Sequence, residues 1–141
     1  MPTFANWLRQ LAESQDEQTA AGLRNMIIAL DVDSTVMTHG HPGLGEDIGA
    51  IPWLHQAAEA GAVFVLNTMR CDDTLLDAQA WLNRRGVDAL LPTQEDWTAS
   101  TKVFAHFYVD DRNPGTPLRD DRCIDWSRFG PIFIDAIGTR R

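Results

Sequence analysis

The chain is poor in cysteine, in tyrosine and in positive charge. Only Cys71 and Cys123 occur among 141 residues. Two cysteines are too few for a disulfide scaffold, and they lack the spacing of a zinc site. Lys and Arg number 12 against 20 Asp and Glu, for a formal net charge of −8. That balance argues against a broad nucleic-acid-binding surface, yet leaves room for a small phosphorylated ligand held by a local cation. No apolar run is long enough to span a membrane. No charged region followed by an apolar block marks a secretory signal, so a cytoplasmic setting is expected. Repeats, linkers and low-complexity segments are also absent from the sequence. What remains is a chain of one-domain length, with 44% apolar residues to build a core.

The stretch that organises this chain is Met26-Ile27-Ile28-Ala29-Leu30-Asp31-Val32-Asp33-Ser34-Thr35-Val36. Five apolar residues without a break read as a strand buried on both faces. Two carboxylates one residue apart follow it, then two hydroxyls. Before it, Phe4, Trp7, Leu8 and Leu11 fall on one helical face, so a helix is expected over Thr3 to Ser14. Residues 1–25 thus read as a helical extension, with a second short helix in the polar Ser14 to Asn25 segment, and 26–137 as the core. The Gly-rich segment Thr38 to Gly45 is loop chemistry. A helix over Ala50 to Glu59 is stopped by Gly61. A second apolar strand, Ala62 to Leu66, ends at Asn67-Thr68-Met69-Arg70. The next helix, capped by Asp72 or Asp73, runs to about Arg85 and stops at Gly86. Val87 to Leu91 reads as a third strand, polar Thr93 to Thr101 as loop, and Ala105 to Val109 as a fourth strand ending at Asp110-Asp111-Arg112-Asn113. A closing helix over Trp126 to Ile137 is expected to be broken or started at Pro131.

This alternation is that of an α/β domain, a Rossmann-like three-layer sandwich with a mostly parallel sheet. Ligands of such sheets bind at the carboxyl ends of the strands. Asp31, Thr68 and Asp110 each end a predicted strand, so Asp31, Asp33, Thr68, Arg70, Asp110 and Asp111 share one edge. Four carboxylates in one crevice cannot all stay ionised without a cation. Oxygen ligands suit Mg²⁺. Residues i and i+2 of an extended chain point the same way, so Asp31 and Asp33 can flank one phosphoryl group. One attacks phosphorus, and the other, if protonated, gives a proton to the leaving oxygen. His39 and His41 stand two apart in the loop, a weak metal signature, and read as solvated or substrate-contacting residues.

At these residues the chain resembles the haloacid dehalogenase superfamily of phosphatases. Asp31-Val32-Asp33-Ser34-Thr35-Val36 looks like its first motif, Val63 to Thr68 like its second, and Val109-Asp110-Asp111 like its fourth. The stretch Lys102 to Asn113, and the later Trp126, are similar to small, capless bacterial and phage members. The resemblance covers about Met26 to Ile137. It implies a Mg²⁺-dependent phosphomonoester hydrolase working through an aspartyl-phosphate. Asp31 would be nucleophile and metal ligand. Asp33 would be general acid/base and lend its backbone carbonyl to the metal. Thr68 would hold a phosphoryl oxygen. Asp110 would bind the metal with Asp111 assisting, and Lys102 would offset the charge on nucleophile and phosphate. Thr35, Asn67 and Arg70 are the candidate substrate contacts. Ser34 stands where the family most often has Gly.

Lys102 lies eight residues before Asp110, which in a fully extended chain is roughly 26 Å. The chain must therefore fold back for Lys102 to reach the site, and Arg70 and Arg112 are alternative cations. The gaps between motifs leave no room for a cap domain. The site is expected to be open unless Thr38 to Asp47, the N-terminal helix or a second copy of the chain covers it. The competing reading is a non-enzymatic, receiver-like module that is itself phosphorylated, although there the acid pair and the phosphoacceptor would be distributed differently over the strands.

Overall fold

A strand that is apolar at every position must be covered on both sides, and it therefore takes the middle of a sheet. The computed structural model describes residues 26–92, 103 and 105–140, together with Asn6. In it β1 (Ile27–Leu30) is buried throughout and lies between β2 (Val63–Leu66) and β4 (Phe107–Val109), with β3 (Ala89–Leu90) beyond β2. All pairings are parallel, in the order β3-β2-β1-β4. This is an α/β fold, consistent with a Rossmann-like sandwich. Apart from Asn6, the expected helices within residues 1–25 lie outside the described residues, as do the loop at 93–101 and Lys102.

The period-two alternation of the strands divides the core. Ile28, Leu30, Phe64 and Leu66 face the larger cluster. It is completed by α1 (Ile51–Glu59), α2 (Asp72–Arg84) and α3 (Trp126–Arg140), through Leu54 and Ala57, Trp81 and Leu82, and Phe133 and Ile137. Ile27, Ala29, Val65 and Leu90 face the other way and gather Val63, Val103, Ala105 and Tyr108. No helix of the described residues is long and apolar enough to cross a membrane.

The expected helix stops are found. Gly61 and Gly86 take positive φ, at 99° and 78°. Behind each, two backbone bonds close a Schellman motif: Gly61 N–H to Ala58 O and Ala62 N–H to Ala57 O, then Gly86 N–H to Asn83 O and Val87 N–H to Leu82 O. The start of α2 differs from expectation. Cys71 is the N-cap, and the Thr74 hydroxyl accepts from its N–H at 3.3 Å and donates to its carbonyl at 2.7 Å. Asp72 and Asp73 sit in the first turn, where their charge still favours the helix dipole. Pro131 neither breaks nor starts α3. The helix begins at Trp126, where the Asp125 carboxylate accepts from the Ser127 N–H at 3.2 Å. The backbone bond that Pro131 forfeits is offset by Trp126, Phe129 and Phe133 packing at ring centroid distances of 5.2 to 5.8 Å.

Two strands are shorter than expected from the sequence, and side chains bond the backbone beside them. Ile27 N–H donates to His106 Nδ1 at 2.9 Å, and β4 starts at Phe107. At the other edge Gln79 Nε2 donates to Ala89 O at 2.7 Å and Asn83 Oδ1 accepts from Ala89 N–H at 3.3 Å.

Between β1 and α1 the Gly-rich segment doubles back as a hairpin-like loop. Met37 bridges Asp47 antiparallel, and Thr38 N–H donates to Glu46 O at 2.8 Å. Gly45 is required by closeness, since a Cβ there would stand 1.9 Å from the Thr38 carbonyl oxygen. Gly45→Ala should therefore lower unfolding stability by about 1–3 kcal/mol in a denaturant titration, the usual range for overpacking against atoms that cannot yield.

Candidate functional site

Register brings the site together. Leu30 pairs with Leu66 on one side and with Val109 on the other. The next residues, Asp31, Asn67 and Asp110, therefore leave the sheet at one level. Asp31 N–H donates to Val109 O at 3.0 Å, which holds β1 and β4 together up to that edge. One carboxylate oxygen from each of Asp31, Asp110 and Asp111 lies within 4.8 Å of the others.

The chain then turns tightly. Thr35 and Val36 N–H groups return to Val32 O at 3.1 and 2.9 Å. Ser34 takes φ 63°, the left-handed conformation that glycine adopts most readily. The turn puts Thr35 back beneath Asp31 with no exposure. Its hydroxyl donates to Asp31 Oδ2 at 2.8 Å, lies 3.3 Å from Asp111 Oδ1, and accepts from Asp111 N–H at 3.1 Å. Its carbonyl accepts from the buried Trp126 Nε1 at 2.7 Å. Thr35 is thus a strut between the two acidic turns and α3. The expectation that it contacts substrate is corrected, because its hydroxyl is engaged inside the protein.

Burial is the main force on Asp31. It pushes the carboxyl up to about 7, with the Asp110 charge and the Asp111 contact acting the same way and the Thr35 hydroxyl and Val32 N–H opposing. Asp110 is also raised, first by burial and then by Asp111. The crowding expected from the sequence is therefore present. The donors are all oxygen, three carboxylates converge, and the nearby Arg112 does not reverse the rise of Asp110. A hard divalent cation such as Mg²⁺ fits that set.

Asp33 has the opposite environment. Burial alone would raise its carboxyl. Arg70 outweighs that with Nε and Nη2 donating to the two carboxylate oxygens at 2.7 Å each, and Gly40 N–H and His39 add to the pull. The net effect holds Asp33 below the usual carboxylate range. The same Arg70 Nη2 donates to Gly43 O at 2.7 Å, fastening the hairpin-like loop over the strand ends. Arg70 is a buried clamp, its side chain 1% exposed. Its Nε and Nη2 are committed to Asp33 and Gly43 O, which leaves Nη1 without a partner among the described residues.

A cavity of about 350 Å³ opens over this edge, and Asp31, Asp33, Thr68, Arg70, Asp110 and Asp111 all line it. The six residues that the topology was expected to gather are together. Asn67 is half-buried at the end of β2 and does not line the cavity. Lys102 lies outside the described residues. Met69 and the Gly43 carbonyl carried no motif in the sequence. Their only signal was position, Met69 between two inward residues of an extended segment and Gly43 in a loop whose path nothing local fixes.

Fold and site define an α/β protein with an acidic centre at the carboxyl ends of parallel strands. Of solved structures, the chain is similar to a conserved protein from Bacteroides thetaiotaomicron, at 26% sequence identity over 79% of this chain and 92% of that one, with a TM-score of 0.65. No family model and no curated protein matches the chain.

Two stability tests follow from the charges. Asp31 binds its proton more tightly folded than unfolded, so its contribution is most favourable below about pH 4 and is lost as pH rises towards 7. Without divalent cation, the melting temperature should fall between pH 5 and pH 8. Asp31→Asn should raise stability at pH 8 by a few kcal/mol, since each tenfold difference in proton affinity between folded and unfolded chain is worth about 1.4 kcal/mol. Arg70→Met should instead destabilise by about 3 kcal/mol, because it leaves Asp33 and Gly43 O without their donor. Thermal unfolding of both variants checks the opposite signs.

Proposed function

We propose that the protein is a divalent-cation-dependent phosphomonoester hydrolase of haloacid dehalogenase type, acting through an aspartyl-phosphate on Asp31. The observation that carries this reading is the convergence of Asp31, Asp110 and Asp111 within 4.8 Å, beside Asp33 and Thr68 in one cavity. Similarity to the Bacteroides protein supports the fold of that reading and does not bear on its chemistry.

Asp31 attacks phosphorus, the bond to the leaving oxygen breaks, and Asp33 supplies the proton that oxygen takes. Water then attacks the phosphorus of phosphorylated Asp31, Asp33 takes the water's proton, and the bond from phosphorus to the Asp31 oxygen breaks, releasing inorganic phosphate and the Asp31 carboxylate. Paired with Arg70, Asp33 is a carboxylate and is ready for the second of these transfers. For the first it must carry a proton, so the Arg70 pair has to loosen as substrate enters. Arg70 Nη1, buried and without a partner among the described residues, is the donor left for a phosphoryl oxygen. Thr68, whose hydroxyl accepts from Arg70 N–H at 3.1 Å, holds another. Mg²⁺, held by Asp31 and Asp110 with Asp111 beside them, would supply the positive charge that keeps Asp31 ionised and offsets the transferring phosphoryl group.

The test is phosphate release from a panel of phosphomonoesters, including glycerol phosphate and phenyl phosphate. Turnover should need Mg²⁺, vanish with chelator, and fall at least about a thousandfold in Asp31→Asn, the order expected for a lost nucleophile. Asp31→Asn turnover equal to wild type would remove the mechanism. A phosphorylated Asp31 that never releases phosphate would identify a receiver-like module instead.

A further inference from the structure

The cavity is larger than a phosphoryl group needs, and its two halves differ in chemistry. Around the strand ends lie the carboxylates, Ser34 and Thr68. The outer half is formed by the lining residues that are exposed: His39 and His41 from the hairpin-like loop, Met69 from the turn after β2, and Arg112 from the turn after β4. Met69 is 90% exposed, a large apolar side chain held out over the opening. The hairpin-like loop is fastened by the Arg70 bond to Gly43, so its imidazoles line the cavity from a tied segment.

These four side chains share one property. Imidazole and guanidinium planes stack on aromatic rings, and a thioether packs favourably against them. A sugar or polyol would call for carboxylates or amides placed to hydrogen-bond its hydroxyls. No Asn, Gln or Glu lines the cavity among the described residues, and its Asp side chains belong to the phosphoryl half. A second anionic group on the substrate would call for free positive charge. Arg112 lowers the proton affinity of Asp110, and His39 that of Asp33, so the charge of each is felt first by the site carboxylates. Met69 offers an anion nothing.

We infer that the outer half, His39, His41, Met69 and Arg112, is a subsite for a planar aromatic ring, so that the substrate carries its phosphate on or next to such a ring. The inference rests on the hydrolase reading for where the phosphoryl group sits. Two sources share this chemistry, an aryl phosphate and a nucleotide.

The experiment has a turnover arm and a binding arm, both on the full chain with Mg²⁺. In the first, kcat/KM is compared for phenyl phosphate, a nucleoside 5′-monophosphate, glycerol phosphate and a phosphocarboxylic acid. At least one ring-bearing substrate should exceed glycerol phosphate by roughly tenfold or more, and which one does so separates the two sources. Met69→Ala and His41→Ala, both at exposed positions, should each shrink that ratio by about two- to tenfold, the span of a lost sulfur–aromatic or stacking contact. In the second arm, phenylphosphonate should bind more tightly than methylphosphonate in calorimetry, with Met69→Ala narrowing the difference. Equal turnover or binding of ring and ringless ligands would overturn the inference and leave the hydrolase standing. So would a preference for the phosphocarboxylic acid, or a ratio unmoved by both variants. Preferential, Met69-dependent binding of phenylphosphonate without turnover of anything would keep the subsite and remove the hydrolase. Neither binding nor turnover would remove both.

Discussion

The site depends on one buried hydroxyl. Thr35 joins the turn after β1 to the turn after β4, by donating to Asp31 and accepting from Asp111 N–H, and its carbonyl ties both to Trp126 at the start of α3. The parallel sheet brings two acidic turns to one edge, and like charges there repel. Without an internal tie they would splay. A neutral donor and acceptor in the middle lets the carboxylates approach without neutralising them, and that residual charge is what a cation can use. The strained φ of Ser34 is part of the same device, since only that turn returns Thr35 beneath Asp31.

Two neighbouring acids end in opposite states for physical reasons that lie outside their own strand. Asp31 is buried next to other carboxylates and tends to hold its proton. Asp33, two residues on, meets a guanidinium and is held ionised. Arg70 does this while also gripping the hairpin-like loop through Gly43. The position of the loop and the charge state of Asp33 are consequently linked through one side chain. Loosening the pair would free both.

Between β1 and α1 the described residues form only that hairpin-like loop. Held by Arg70 and by the close crossing of Gly45 over Thr38, it puts His39 and His41 at the cavity without any inserted domain. A short loop reaches only the rim of the cavity, which is why its residue types matter there.

Much of this was written in local pattern. Apolar runs ending at Leu30 and Leu66, and the shorter Phe107-Tyr108-Val109, pointed to parallel, buried strands, and strand ends in such sheets must share an edge. Gly61 and Gly86 marked where helices stop because only backbone conformation decides that. Local pattern misjudged the cap of α2 and the effect of Pro131, where Thr74 and Asp125 supply the missing partners. It also overran β3 and β4, beside which the side chains of Gln79, Asn83 and His106 bond the backbone. Tertiary structure alone decided that Thr35 serves the acids and that Arg70 serves Asp33. The sequence names donors and acceptors, but hydrogen bonds between residues 37 and 76 positions apart are chosen by the fold. Which carboxylate keeps its proton was settled there too, because charge state follows from burial and neighbours, and neither is a property of an aspartate by itself.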